Sequence, residues 1–404
     1  MEQHHDDDPM SEALSLNAME TDLNELNLED LITLFEKSEN DPNLQPELVI
    51  ELIAVIGDRY ESENNKQKEF EWRLKGAEKG CPEFQSIVGR MYDDGNGVEE
   101  NVEKAFYWLK KAAEGEELDS QILLGWFYES GRGVEENQEM ALYWYKKAAD
   151  NGSVDAIYRC GNVYYMGDDY SNALSWFWKG NALGDAQSME KIGLMYRHGF
   201  GLKRDLKKAF EYFENSADLG CIDGIFRVGY AFHSGEGVKL DYSEAMEYYL
   251  DAAEMGDALA KNNIADMYLK GQGVQQNFQT ALKWIKEAME QGNFDSIATY
   301  GEMLCNGNGV EQDYNKAFDH FKRSSDSGYC EFAHFLLGRM YENGWGCEKD
   351  INKAYVLYLR GAKEGDADAI TRLETPFKKA LFTKSSPLFD TVILTVDEDR
   401  SKII

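Results

Sequence analysis

Six histidines, six cysteines and a dense field of carboxylates are the groups in this sequence with the means to do chemistry. His4, His5, His198, His233, His320 and His334 contain no HExxH spacing, and none lies beside a cysteine pair, so no zinc site is expected. His4 and His5 precede Asp6–Asp8 and could hold a metal loosely, but that stretch reads better as an acidic tail. Cys81, Cys160, Cys221, Cys305, Cys330 and Cys347 are scattered without a CxxC. They read as incidental thiols of a reducing compartment, and a cytoplasmic location is expected. No GxSxG elbow or Cys–His arrangement stands out. GxG turns recur through the chain but never as GxGxxG after a strand or as GxxxxGK[ST], so they read as turns and not as phosphate cradles. Paired-carboxylate catalysis needs two carboxyls in one pocket with pKa values pushed apart, and spacing alone supplies no such pair. No catalytic residue, metal or cofactor is assigned, and the chain is read as a non-enzyme.

The glycines make sense only as parts of a repeat. An anchor glycine recurs at Gly89, Gly125, Gly161, Gly193, Gly229, Gly301 and Gly338, with Ala265 in its slot once. The period is 36 residues, shortened to 32 after Gly161 and lengthened to 37 after Gly301. Three residues after the anchor stand Tyr92, Tyr128, Tyr164, Tyr196, Phe232, Tyr268, Leu304 and Tyr341. Six after it comes a glycine, which opens a GxG in seven of the eight units; sixteen after it comes an alanine. Nineteen after it stands usually an aromatic, such as Trp108, Trp144 and Tyr248. His320 and Leu357 break that rule and predict looser packing late in the array. Each unit reads as two helices joined by the GxG loop, with the alanine and the aromatic three residues apart on one face of the second helix. One such unit cannot bury both helices, so the units must stack.

The segment LGWFYESGRGVEENQEMALYWYKKAADNG (124–152) and its copies resemble the Sel-1-like repeat family, relatives of the tetratricopeptide repeats. The likeness covers 82–365 in eight units. A degenerate ninth unit precedes them, with Gly57, Tyr60, Trp72 and Gly80 in place but Glu69 at the alanine position. The resemblance implies an all-α fold, a right-handed α-solenoid of eight to nine stacked helix-turn-helix repeats, used as a scaffold or adaptor. Some secreted members carry one cysteine pair per repeat; this chain does not, so no activity of theirs is carried over.

The expected organisation is an acidic, disordered 1–22, a capping helix and degenerate repeat over 23–81, eight repeats over 82–365, and a capping helix with a tail over 366–404. Residues 23–37 are amphipathic, and Pro42 and Pro46 then break the chain. The tail contains a β-prone run, Thr391–Val396, after Pro376.

Net charge is −32, half of it within 1–63. Such acidity repels phosphate, so neither nucleic acid nor an anionic membrane is expected as a partner. A protein with a basic surface is. In an α-solenoid the first helices usually line the concave face. There the positions three before, one after and four after the anchor vary from unit to unit. The middle of that face is aromatic, and Trp126, Tyr158, Tyr165, Phe226, Tyr230 and His233 are the candidate partner-binding residues. Trp178, Phe200 and Trp345 are candidate rim residues. One basic patch, around Arg197, Lys203, Arg204, Lys207 and Lys208, stands ready for an acidic segment. Two functions fit: an adaptor that holds a peptide or protein in the groove, or an immunity-type inhibitor of a basic toxin or enzyme. A hydrolase of cell-wall or β-lactam material ranks far below both.

Overall fold

The structure is a computed structural model that describes residues 23–39, 46–328, 330 and 332–374. The acidic start over 1–22, Pro42, Pro376 and the run Thr391–Val396 lie outside the described residues. The described residues are helical, with no strand among them. Two compact units divide the chain, residues 1–188 and 189–404.

The first unit holds α1 (Leu28–Glu39), α2 (Pro46–Ser62), α3 (Lys66–Glu78), α4 (Pro82–Asp94), α5 (Val102–Glu114), α6 (Leu118–Ser130), α7 (Gln138–Asp150), α8 (Val154–Met166) and α9 (Tyr170–Ala182). Helix α10 (Ala186–His198) begins in it and ends in the second unit. The second unit continues with α11 (Leu206–Asp218), α12 (Ile222–Ser234), α13 (Tyr242–Glu254), α14 (Ala258–Lys270), α15 (Phe278–Glu290), α16 (Phe294–Asn306), α17 (Tyr314–Ser327), α18 (Ala333–Asn343), α19 (Ile351–Glu364) and α20 (Ala367–Glu374). The eight repeats are the pairs from α4/α5 to α18/α19, the tandem helix-turn-helix units of an α-solenoid.

Each second helix opens on an asparagine or aspartate twelve residues after the anchor, or eight in the short repeat. Its side chain accepts a backbone N–H one turn on, as Asn101 does from Lys104 at 2.9 Å and Asp313 from Lys316 at 3.0 Å. The backbone N–H of the same residue donates back to the carbonyl three after the anchor, Asn101 to Tyr92 at 2.8 Å and Asp241 to Phe232 at 3.0 Å. One residue thus starts the helix and closes the loop. In six of the GxG loops the second glycine (Gly97, Gly133, Gly237, Gly273, Gly309 and Gly346) lies against the start of the preceding pair's second helix. A Cβ on Gly237 would overlap the Leu206 carbonyl, and one on Gly346 the Tyr314 carbonyl. Its φ of 77° at Gly237 adds a second reason for glycine.

The alanines sixteen after the anchor, twelve in the short repeat, are buried throughout, from Ala105 to Ala354. The anchor glycine itself faces the residue twenty after it, sixteen in the short repeat. These are Leu109, Tyr145, Phe177, Phe213, Tyr249, Phe321 and Tyr358, each at most 3 % exposed. This corrects the sequence expectation. Nineteen after the anchor (fifteen in the short repeat) the side chain is half-buried in six of the eight repeats, with Trp144 and Leu357 buried, and the side chain one further on fills the core throughout. His320 and Leu357 therefore do not mark loose packing. Phe321 and Tyr358 fill the core beside them, and His320 sits edge-on to Tyr300 at 5.0 Å.

Helices α2 and α3 form the degenerate pair, without a GxG loop. Arg73 takes the place of the core ring, beneath Gly57, and bonds Asp58 at 2.5 Å. Glu69, where the repeats carry alanine, is buried and pairs with Lys66 at 3.0 Å. Helix α1 lays Leu31, Leu34 and Phe35 onto this pair, with Phe35 edge-on to Trp72 at 4.8 Å. At the other end α20 packs on α19, and Asp366 caps it by accepting from Ala369 at 2.9 Å.

Candidate partner-binding surface

The three variable positions of the first helices have different surroundings. The position three before the anchor is mostly turned inward. Ser86, Glu190, Phe226 and Ala298 are all buried there. Glu190 meets Arg227 of the following repeat at 3.1 Å, and Asn262 accepts a hydrogen bond from Ser296 at 2.9 Å. This position joins neighbouring first helices.

The position four after the anchor has two structural duties. Where the core residue is a tyrosine, it takes the hydroxyl. Tyr145 donates to Glu129 at 2.6 Å and Tyr358 to Glu342 at 2.7 Å, while the Tyr249 hydroxyl lies 3.3 Å from His233 Nδ1. Burial, and the carboxylate accepting from them, push the Tyr145 and Tyr358 hydroxyls well above the usual tyrosine range, so they stay protonated donors. The same position also reaches the middle residue of the next GxG loop. Asp93 pairs with Arg132 at 2.7 Å, Arg197 with Glu236 at 2.6 Å, and His233 Nε2 lies 3.1 Å from Gln272. The charge order reverses between the first two pairs, so the contact persists while its chemistry changes.

The position one after the anchor is the most open. Arg90 and Trp126 are exposed there, and Asn162, Tyr230, Asp266, Glu302 and Arg339 are half-buried. Trp126 is the one exposed tryptophan of eight. Its ring stands edge-on to Phe127 at 5.5 Å and carries the Arg132 guanidinium at 5.9 Å. Next to it, α4, α6 and α8 frame a hollow of 420 Å³ lined by Arg90, Asp93, Asp119, Ile122, Asp155 and Arg159. Its cations are already paired, Arg90 with Asp119 at 2.9 Å and Arg159 with Asp155 at 2.8 Å.

The other candidates divide clearly. Tyr158 and Tyr165 are half-buried on either side of Phe177, at 6.1 and 6.3 Å between ring centres. Phe226, expected to line a groove, is instead 6 % exposed and packs on Tyr249. His233, also expected in the groove, has both ring nitrogens engaged, so it serves the joint between repeats. Tyr230 lies half-buried under Arg197 at 4.6 Å. The three rim residues Trp178, Phe200 and Trp345 are half-buried rather than exposed. Trp345 stacks flat on Tyr314 at 5.4 Å, and Phe200 stacks on His198 at 5.2 Å. Sequence reasoning missed the contact four after the anchor. Its signal was present, because glutamate or histidine stands there where tyrosine stands sixteen residues later. In the basic patch, Arg197 is bound to Glu236, and Arg204 donates to the Arg197 carbonyl at 3.1 Å.

No group of three or more His, Cys, Asp or Glu suited to a metal ion occurs among the described residues. None of their helices is long and apolar enough to cross a membrane. All six cysteines are free thiols, and burial pushes the Cys160 and Cys330 thiols up to about 12.

The Sel1 repeat matches eight successive segments, 82–116, 118–153, 154–185, 186–221, 222–257, 258–293, 296–329 and 332–366. The chain belongs to the Sel1 repeat family. Sel1 repeat proteins are generally protein-interaction scaffolds, and the family is generally non-enzymatic. Among solved structures, a protective antigen of uropathogenic Escherichia coli with an SLR fold is 24% identical, with a TM-score of 0.50 over 89% of this chain and 92% of that one. A Sel1 repeat protein of Oxalobacter formigenes is 26% identical, with a TM-score of 0.43 over 67% and 98%. An immunity protein of Pseudomonas aeruginosa is 19% identical, with a TM-score of 0.39 over 54% and 83%. The first of these likenesses speaks for the fold alone. No curated protein gives a match.

Proposed function

We propose that this Sel1 repeat protein is an adaptor that holds a partner protein against the open positions of its first helices. The observation that carries this reading is the contrast within one repeat. Alanines, core residues and loop caps recur because they pack, whereas the position after the anchor runs through Arg90, Trp126, Asn162, Leu194, Tyr230, Asp266, Glu302 and Arg339. Variation at open positions on a fixed frame is how a repeat array acquires a specific surface. An exposed tryptophan beside a hollow is the kind of anchor on which binding energy concentrates. The free thiols fit a reducing, cytoplasmic setting.

The test is capture of partners from the native host, followed by titration of the purified partner with wild type and Trp126→Ala. The ring is 36 % exposed and touches Phe127 and Arg132, so the variant should stay folded with a modestly lowered melting temperature, while binding weakens about tenfold or more. Unchanged affinity would remove Trp126 from the interface. A second reading, an inhibitor of a basic enzyme, draws on the net charge of −32. It requires a basic partner whose association rate falls steeply with added salt.

A further inference from the structure

The first helices of the second unit enclose a hollow of 550 Å³ between α14, α16 and α18, with α20 at its edge. That lies within the roughly 300–1,000 Å³ of clefts that hold small ligands. Part of its polar lining serves the fold, since Lys270 pairs with Asp266 at 2.8 Å, Asn262 accepts from Ser296 at 2.9 Å and Thr299 donates to the Asp295 carbonyl at 2.9 Å, but the rest does not. Glu302, on α16, is half-buried and has neither a hydrogen bond nor an ion pair. Burial pushes its carboxyl above the usual range, partly offset by the field of Arg339. Arg339 on α18 is likewise half-buried and without an ion pair; it leans over Phe335 and Trp345, each at 5.8 Å. The side-chain amides of Asn263, Asn306 and Asn308 line the same space and bond to no other protein group. The first unit's hollow differs, since its arginines are already bridged to aspartates.

We infer that this hollow seats an extended peptide segment of the partner, with an arginine or lysine side chain delivered to Glu302. The inference rests on the scaffold reading above. The chemistry is complementary at each group. An amide side chain offers one acceptor and two donors, the pattern that matches a peptide unit. Arg339 only donates, so it takes backbone carbonyls. Glu302 only accepts, and a half-buried carboxylate is best answered by a cation that brings its own donors. The acidic chain draws basic segments towards it. A half-buried carboxylate without a partner carries a desolvation cost in the unbound protein, which a cationic side chain would offset.

The probe is acetyl-Gly-Gly-Arg-Gly-Gly-amide, titrated into the full chain by NMR, with the citrulline peptide as an uncharged control of the same shape. Saturable shifts should appear on the side-chain amides of Asn263, Asn306 and Asn308. Affinity should fall about tenfold or more for the citrulline peptide and for Glu302→Gln, the usual scale for a lost charge-assisted hydrogen bond. Glu302→Gln should melt at the same temperature as the parent or higher. Equal affinity for the two peptides, an unweakened Glu302→Gln, absent shifts, or a lowered melting temperature in that variant would each overturn the inference. The scaffold reading is judged separately, because Trp126→Ala is measured on the captured partner and lies in the other unit.

Discussion

The anchor position offers a quantitative test of the core. A Cβ on Gly301 would meet Phe321 Cε1 at 2.7 Å and Cδ1 at 2.9 Å, where ordinary contact begins at 3.4 Å. Phe321 is 2 % exposed, so its ring must shift by more than half an ångström in a filled core. Overpacking of that kind costs about 1–3 kcal/mol. Alanine returns about 1 kcal/mol of helix propensity, so Gly301→Ala should lose roughly 0–2 kcal/mol net. The neighbouring repeat shows the remedy. Ala265 holds the anchor slot there, and the facing core residue is Ile285, both fully buried in one cluster. Phe321→Ile alone should lose about 1–3 kcal/mol through the void it leaves. The double variant should recover the overpacking term, a coupling of about 1–3 kcal/mol. Urea unfolding of all four chains gives that coupling. Amide exchange over α16 and α17 localises it, since repeat arrays open unit by unit. If the two substitutions add to within about 0.5 kcal/mol, the glycine does not owe its place to the ring.

Two further outcomes follow from single contacts. Gly237→Ala sets a methyl group against the Leu206 carbonyl at a φ of 77° and should lose about 2 kcal/mol or more. Gly235→Asn, with 3.3 Å of room to Leu240 Cβ at a φ of 72°, should lose under about 1 kcal/mol, because asparagine tolerates that conformation. Thermal melts of equal depression in the two variants would contradict a packing role for the second loop glycine. At Glu342 burial alone would raise the carboxyl pKa, but hydrogen bonds from Arg372 and Tyr358 outweigh it and hold it below the usual range. Its stabilisation is therefore present above the unfolded carboxylate pKa of about 4.3 and is lost as pH falls through the folded value. The melting-temperature gap between wild type and Glu342→Gln should be full at pH 7 and shrink below about pH 4; a constant gap down to pH 3 would contradict the ion pair.

The repeat was legible because its signals are local. Glycine spacing, the alanine on the second helix and the aromatic rows each follow from a helix meeting its immediate neighbour in sequence. The error at the core ring was one of phase. Positions nineteen and twenty after the anchor (fifteen and sixteen in the short repeat) are both Phe, Tyr or Trp in four of the eight units, and spacing cannot say which of two adjacent side chains points inward. The anchor glycine decides it, since the ring that a Cβ would strike is the one that fills the core. The surface was less legible because contacts between repeats join residues 37 to 39 apart, such as Glu190 with Arg227 and Asp93 with Arg132. Such pairs change residue type from repeat to repeat, so they look like free variation. His233, bonded to Gln272 of the next repeat, was misplaced for that reason, whereas Phe226 packs on Tyr249 of its own repeat.

Variation in a repeat is therefore not in itself a sign of binding. Four residues after the anchor, a side chain is held by a core hydroxyl, as Glu129 and Glu342 are, by a loop side chain, as Asp93 and Arg197 are, or by both, as His233 is. Glu129, His233 and Glu342 could not be recruited to a partner without leaving a buried tyrosine unpaired, at about 1–3 kcal/mol. Three residues before the anchor, a change disturbs the joint with the next helix. Only the position after the anchor is largely released from packing, and even there Leu194 is buried. Of its other members, Tyr230 is held by a pinned arginine and Arg90 is paired with Asp119, while Trp126 is exposed and Glu302 is unpaired. The specificity of the array should therefore concentrate on one exposed ring in the first unit and one unanswered carboxylate in the second.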